Sequence, residues 1–133
     1  MSEAQRKHVE NCYGCSPNNP IGLKICFEVK ENLVIGEFQS NKNHEGPPGL
    51  IHGGIIAAIL DEALAYAARY LSEYDIRTMK ETITFRKAVK VGEQLRVEAR
   101  ILEEKSRAFI LSAKVFYQDN IIAEAEGTLL KFK

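Results

Sequence analysis

The sequence predicts an α+β fold, with one long apolar helix wrapped by a curved antiparallel sheet. Three observations carry that expectation. Between Gly53 and Leu71 the only charged residues are Asp61, Glu62 and Arg69, and a helix without a polar face has to be covered on all sides. Stretches with period-two alternation lie before and after it, most of them crowded after it. One helix among many strands argues for an antiparallel sheet rather than repeated strand–helix–strand units. The 133 residues suffice for a substantial core, and residues 1–133 are read as one domain.

Taken in order, polar residues 1–11 are expected to form a short helix or a tail. From Gly22 to Lys30, Leu23, Ile25, Phe27 and Val29 alternate with Lys24, Cys26, Glu28 and Lys30, the pattern of a half-buried strand. Glu31-Asn32 makes a tight turn into a second strand, Leu33 to Gln39. The turn Gly46-Pro47-Pro48-Gly49 runs through His52-Gly53-Gly54 into the helix, which ends near Leu71 in the polar loop Ser72-Glu73-Tyr74-Asp75. Strands follow at Ile76 to Val89 and Glu93 to Glu103, where Leu95, Val97, Ala99 and Ile101 alternate. Ala108 to Tyr117 and Ile121 to Phe132 then form a hairpin around Gln118-Asp119-Asn120.

Composition excludes several classes. Eighteen basic residues balance eighteen acidic ones, so the chain lacks the basic field of a nucleic-acid binder. Its longest apolar run, Gly53 to Leu60, falls far short of the ~20 residues of a membrane span. No apolar stretch follows Met1 to Lys7, so no secretory signal is expected. Three cysteines, an odd count, point to a reducing cytoplasm rather than a disulfide framework. The nucleophile elbow G-x-S-x-G and the metalloprotease pattern H-E-x-x-H are both absent.

The start of the helix is where chemistry concentrates. His52-Gly53-Gly54 places small residues where the first backbone N–H groups have no partner within the helix. Those donors, with the positive end of the helix dipole, favour an anion or a developing oxyanion, and glycine lets a ligand approach closely. A Gly-Gly pair also has the plainer reading of a tight turn. Asp61 lies eight residues beyond Gly53, ~12 Å along the axis, too far for one small reacting group to touch both. An antiparallel second copy would bring one chain's Asp61 towards the other's Gly53. The arithmetic points to a two-fold dimer with shared sites.

Other residues have competing readings. Glu62 points about 100° away from Asp61 and is read as a structural or solvated residue. His52 is read as a cap of the turn, with acid–base work as the alternative. His44-Glu45 is read as a solvated loop. Cys12 and Cys15 in C-x-x-C, with His8 before them, make three candidate zinc ligands where a structural site takes four, so no metal is expected. Arg86-Lys87-Ala88-Val89-Lys90 and Lys105-Ser106-Arg107 are basic patches, suited to a charged sheet edge or to the phosphates of a nucleotide-like ligand.

The pattern G-P-P-G-x-x-H-G-G-x-x-x-x-x-x-D, from Gly46 to Asp61, resembles the hotdog-fold acyl-CoA thioesterases, in particular the phenylacetate-pathway and mammalian long-chain branch. The opening Cys12-Tyr13-Gly14-Cys15-Ser16-Pro17-Asn18-Asn19-Pro20-Ile21-Gly22-Leu23 resembles a signature of many members, and the likeness extends over residues 11–132. The resemblance implies a hotdog fold in which the Gly53 amide polarises the thioester carbonyl and Asp61 activates water or attacks directly. Counting back from Ile83-Thr84-Phe85-Arg86, which resembles the family's strand motif, puts the hydroxyl that holds this water or acid at Thr78. His52 and Gly54 would line the substrate site, and Arg86, Lys87 and Arg107 would meet the CoA phosphates. Some members carry an Asn six residues before the histidine; here that position is Gly46, so the oxyanion pocket rests on backbone amides.

The leading expectation is a cofactor-free acyl-CoA thioesterase, a homodimer or a dimer of dimers. Hotdog dehydratases pair a histidine with an acid fourteen residues later, and those positions here are Ala58 after His44 and Tyr66 after His52. The alternative is a non-catalytic acyl-CoA-binding regulatory domain, which would have no use for an acid in an apolar helix.

Overall fold

The structure, a computed structural model, describes residues 10–132; the expected helix or tail over residues 1–11 falls almost wholly outside them. Six strands form one sheet: β1 (Cys26–Lys30), β2 (Leu33–Gln39), β3 (Asp75–Phe85), β4 (Gln94–Glu104), β5 (Ala108–Tyr117) and β6 (Asn120–Phe132). The order across the sheet is β1-β2-β4-β5-β6-β3, with every neighbouring pair antiparallel. Helix α1 (Gly53–Tyr70) lies against one face. This is the hotdog arrangement, a long helix packed against an antiparallel sheet.

The apolar helix is covered as its composition demands. Ile59, Leu60, Ala63 and Leu64 have no exposure and meet Phe38, Leu95, Leu111 and Leu129 from the sheet. Each such Leu or Ile contributes about 1.5–3 kcal/mol by leaving water. The helix can sit this deep because Gly127 lies beneath it in β6: a Cβ there would come 2.9 Å from Leu64 Cδ1. At the other end, buried Arg69 donates from Nη2 to the Ile76 carbonyl at 3.0 Å and stands 3.7 Å from Asp75, which docks the start of β3 onto the last helical turn.

Two strand boundaries differ from expectation by more than one residue. The first strand begins at Cys26 rather than Gly22, because Leu23 and Ile25 donate backbone bonds to Tyr13 and Gly14 instead, and Lys24 takes a positive φ of 54°. Its alternation also fades: Leu23 and Ile25 are buried but Val29 is 43% exposed at the sheet's outer edge. β3 stops at Phe85 rather than Val89, since Arg86 and Lys87 both donate to the single carbonyl of Ile122 and end the ladder.

Candidate active site

The turn before α1 is built so that one amide stays open. Gly46 donates to the Leu50 carbonyl and Leu50 to that of Pro47, both at 2.9 Å, and Gly49 takes a φ of 81° that favours glycine. A side chain at Gly46 would run into His52, with its Cβ 2.8 Å from the His52 Cα. His52 is the N-cap: its Nδ1 accepts the Gly54 N–H at 2.7 Å, and its carbonyl accepts from Ile55 and Ile56. Among the described residues no acceptor takes the Gly53 N–H. Gly53 itself lines a cavity of about 380 Å³, together with Leu50, Ile56, Phe85, Arg86 and Lys87 among others.

The expected roles divide accordingly. Gly53, Arg86 and Lys87 meet at this cavity. The Gly54 amide does not face a ligand, because the cap has claimed it, and His52 is a capping residue before anything else. Arg86 is also ion-paired to Glu124 at 2.7 Å. Arg107 is not brought here. It precedes Ala108, which pairs with Leu130, whereas Phe85 pairs with Ala123 at the opposite end of β6. His44, expected in solvent, is buried against Phe38; its Nδ1 accepts the Asn41 N–H at 2.9 Å, and burial lowers its pKa. It is a structural histidine that caps its own short turn.

Asp61 and Thr78 do come together. The Thr78 hydroxyl donates to Asp61 Oδ1 at 2.8 Å. A second neighbour was not legible from the sequence: Glu81 lies beside Asp61, with Oε1 buried and without a hydrogen-bond partner among the described residues. Burial first, then a hydrogen bond and charge repulsion from Asp61, push the Glu81 carboxyl up to about 8. At neutral pH Glu81 therefore keeps its proton, which it can donate to Asp61.

Two residues three apart on a strand ordinarily face opposite sides. Here Thr78 pairs with Leu129 and Lys80 with Thr128, leaving Met79 with no partner: a bulge. The extra residue resets the alternation, so Ile76 and Thr78 before it and Glu81 after it all face the helix. Glu62 follows the other path predicted for it, buried rather than solvated, with the Cys12 thiol 3.4 Å from its Oε1. A hydrogen bond with Cys12, burial and the charge of Glu62 hold the Cys15 thiol well above its ordinary range.

Residues 48–123, which contain the Gly53 turn, the Asp61 helix and the Thr78 strand, match the thioesterase superfamily. The chain belongs to that superfamily. This thioesterase-superfamily chain is 25% identical over 115 residues to acyl-coenzyme A thioesterase THEM4 of Xenopus laevis, covering 85% of the chain and 51% of that protein. It thus spans about half the length of the curated relatives that it matches first. Its fold is similar to PaaI of the phenylacetic acid degradation operon of E. coli, with a TM-score of 0.77 at 18% identity, covering 84% of this chain and 81% of that one. Streptococcus mutans smu.793, solved bound to acetyl CoA, gives a TM-score of 0.76 at 19% identity, over 81% and 88% of the two chains. Among the described residues, no helix of this superfamily member is long and apolar enough to cross a membrane.

Proposed function

We propose that this chain hydrolyses an acyl-CoA thioester to a free acid and CoA, as a cytoplasmic homodimer or dimer of dimers with shared sites. The single observation that carries the reading is the open Gly53 amide at a cavity, paired with an acid on the same helix that is held by Thr78. The acyl carbonyl sits against the Gly53 N–H, which stabilises the oxyanion as it forms. Asp61 takes a proton from water attacking that carbonyl, or attacks it directly to form an anhydride that water then hydrolyses to the free acid, and Thr78 fixes the carboxylate's orientation. The tetrahedral intermediate collapses by expelling CoA thiolate, a good leaving group that needs little acid assistance. Arg86 and Lys87, at the rim of the cavity, are suited to the CoA phosphates.

Helix geometry supports sharing between chains. Gly53 and Asp61 are ~12 Å apart along one rigid helix, so one carbonyl meets both only if a partner supplies the acid. β3, the outer strand of the sheet, carries exposed Met79 (57%) and Phe85 (55%) and offers a free edge beside the site. The names of the relatives and the acetyl CoA in the Streptococcus mutans protein support the substrate class.

The test is a panel of acetyl-, aryl- and medium- to long-chain acyl-CoAs assayed for free thiol. Release from at least one, above the rate without enzyme, is expected. Saturable CoA binding with no thiol release from any member would overturn hydrolysis in favour of a binding domain.

A further inference from the structure

Glu62 serves neither the cavity nor Asp61. It turns instead into the loop that precedes β1, where it is 8% exposed on the rigid central helix. Cys12 donates from Sγ to its Oε1 at 3.4 Å, across fifty residues of sequence. With Cys15 the cluster is complete: one ligand atom from each of Cys12, Cys15 and Glu62 lies within 4.8 Å of the others. The loop is tied in place by backbone bonds from Ser16 to Cys12 at 3.1 Å, Leu23 to Tyr13 at 2.7 Å and Ile25 to Gly14 at 2.9 Å. Between the two cysteines stands buried Gly14, where a Cβ would fall 2.4 Å from the Glu62 carboxyl carbon. Only glycine lets the loop close on the carboxylate.

We infer that Cys12, Cys15 and Glu62 hold a zinc ion that clamps the loop before β1 to the central helix. The C-x-x-C spacing lets two sulfurs share one tetrahedral centre, and a carboxylate is an accepted third ligand. Thiolates select zinc over magnesium or calcium, whose preferred ligands are all oxygen. In a tetrahedral site with bonds of ~2.0–2.3 Å the ligand atoms stand ~3.3–3.8 Å apart, so the cluster needs only a small contraction to close. Binding displaces one proton from each thiol, and two thiolates with one carboxylate leave the filled site with a net charge of minus one before the fourth ligand. Water fills the fourth position. This replaces the expectation of no metal, which rested on counting ligands near Cys12 in sequence. The site is structural: Glu62 points about 100° away from Asp61 around α1, and the ion takes no part in the proposed hydrolysis.

The test uses the full untagged chain, purified under reducing conditions, exposed to zinc and desalted. Elemental analysis should find about one zinc per chain, and chelation should lower Tm by several degrees, restored by adding zinc back. Replacement by Co(II) should give intense thiolate-to-cobalt charge-transfer bands in the near ultraviolet. Cys12→Ser/Cys15→Ser should lose the bands and the metal. Glu62→Ala should weaken binding by about 10-fold or more, at least the cost of disturbing an outer-shell partner. The unmodified chain's cobalt spectrum decides the matter if those variants do not fold. Zinc below about a tenth of an equivalent, cobalt bound without charge-transfer bands, full zinc in a folded double-serine variant, or a Cys12–Cys15 disulfide in place of metal would each overturn the site.

Discussion

Thr78 donates its hydroxyl proton to Asp61 at 2.8 Å, joining the outer strand of the sheet to the middle of the central helix. The bond holds a carboxylate that water or a thioester must meet in one orientation. Replacing Thr78 by Val keeps the β-branched shape but removes the donor, so turnover should slow by roughly 10- to 100-fold. Thr78→Ser should stay near the parent rate. Steady-state kinetics on both variants check this, and equal losses would assign the effect to the methyl group's packing.

Asp61→Asn is nearly isosteric and cannot accept the proton of water. On the proposed mechanism kcat should drop by ~100-fold or more, with KM and the far-ultraviolet circular dichroism little changed. A near-normal kcat in a thioesterase-active parent would take Asp61 out of the chemistry.

Glu81 predicts two pH effects. Its carboxyl is held up to about 8 in the folded chain, against an ordinary value of 4.5 once unfolded. Between those values folded Glu81 binds more protons than it does unfolded, so its own contribution to stability is full below about pH 4.5 and is lost as pH rises towards 8. Above that, Glu81 ionises, its donor to Asp61 is lost, and kcat should fall. Glu81→Gln retains an N–H donor without the titration. It should flatten both the Tm–pH curve and the alkaline limb of the kcat–pH profile, while Glu81→Ala should lower kcat at all pH values. An unchanged alkaline limb in Glu81→Gln would place its origin elsewhere.

The shared site predicts rescue between two dead proteins. Gly53→Pro deletes the open amide, and the backbone admits it: Gly53 is the first residue of α1, and His52 sits at φ −61° and ψ 135°, the region that a residue before proline prefers. Asp61→Ala deletes the acid. Each variant alone should be inactive. Mixed dimers pair the Asp61→Ala chain's amide with the Gly53→Pro chain's acid in one site and leave the other site with neither. Recovered activity after co-refolding, in proportion to the mixed species resolved by native mass spectrometry, is the expected outcome. Verified mixed dimers as inactive as their parents would confine each site to one chain.

Legibility in the sequence followed the range of the interactions. The helix was readable from Gly53 because its caps and apolar run are local, and Leu33–Gln39 because its burial alternates along the strand. The Thr78 position came from a strand motif in the resembled family, and the hydrogen bond to Asp61 agrees with it. What escaped is non-local. Leu23 and Ile25 are buried as an alternating strand would bury them, yet their backbone bonds go to the Cys12–Cys15 loop, which no periodicity encodes. Whether Glu62 was structural or solvated stayed open in the sequence because its neighbour Cys12 lies fifty residues away. Glu81 was invisible because strict alternation sets it on the opposite face from Thr78, and only the unpaired Met79 overrules that phase.

That bulge makes the surroundings of Asp61 a matter of residue count rather than residue identity. Every single substitution along β3 leaves the phase of the strand intact, so an alanine scan would pass over Met79 as an exposed side chain of little consequence. Deleting Met79 changes no residue that touches Asp61, yet it would restore a regular ladder and send either Thr78 or Glu81 to the far face of the sheet. The carboxylate would keep its hydroxyl donor or its proton-bearing neighbour, but not both. The arrangement is written in the chain as a one-residue insertion, and deletion scanning is the method that reads it.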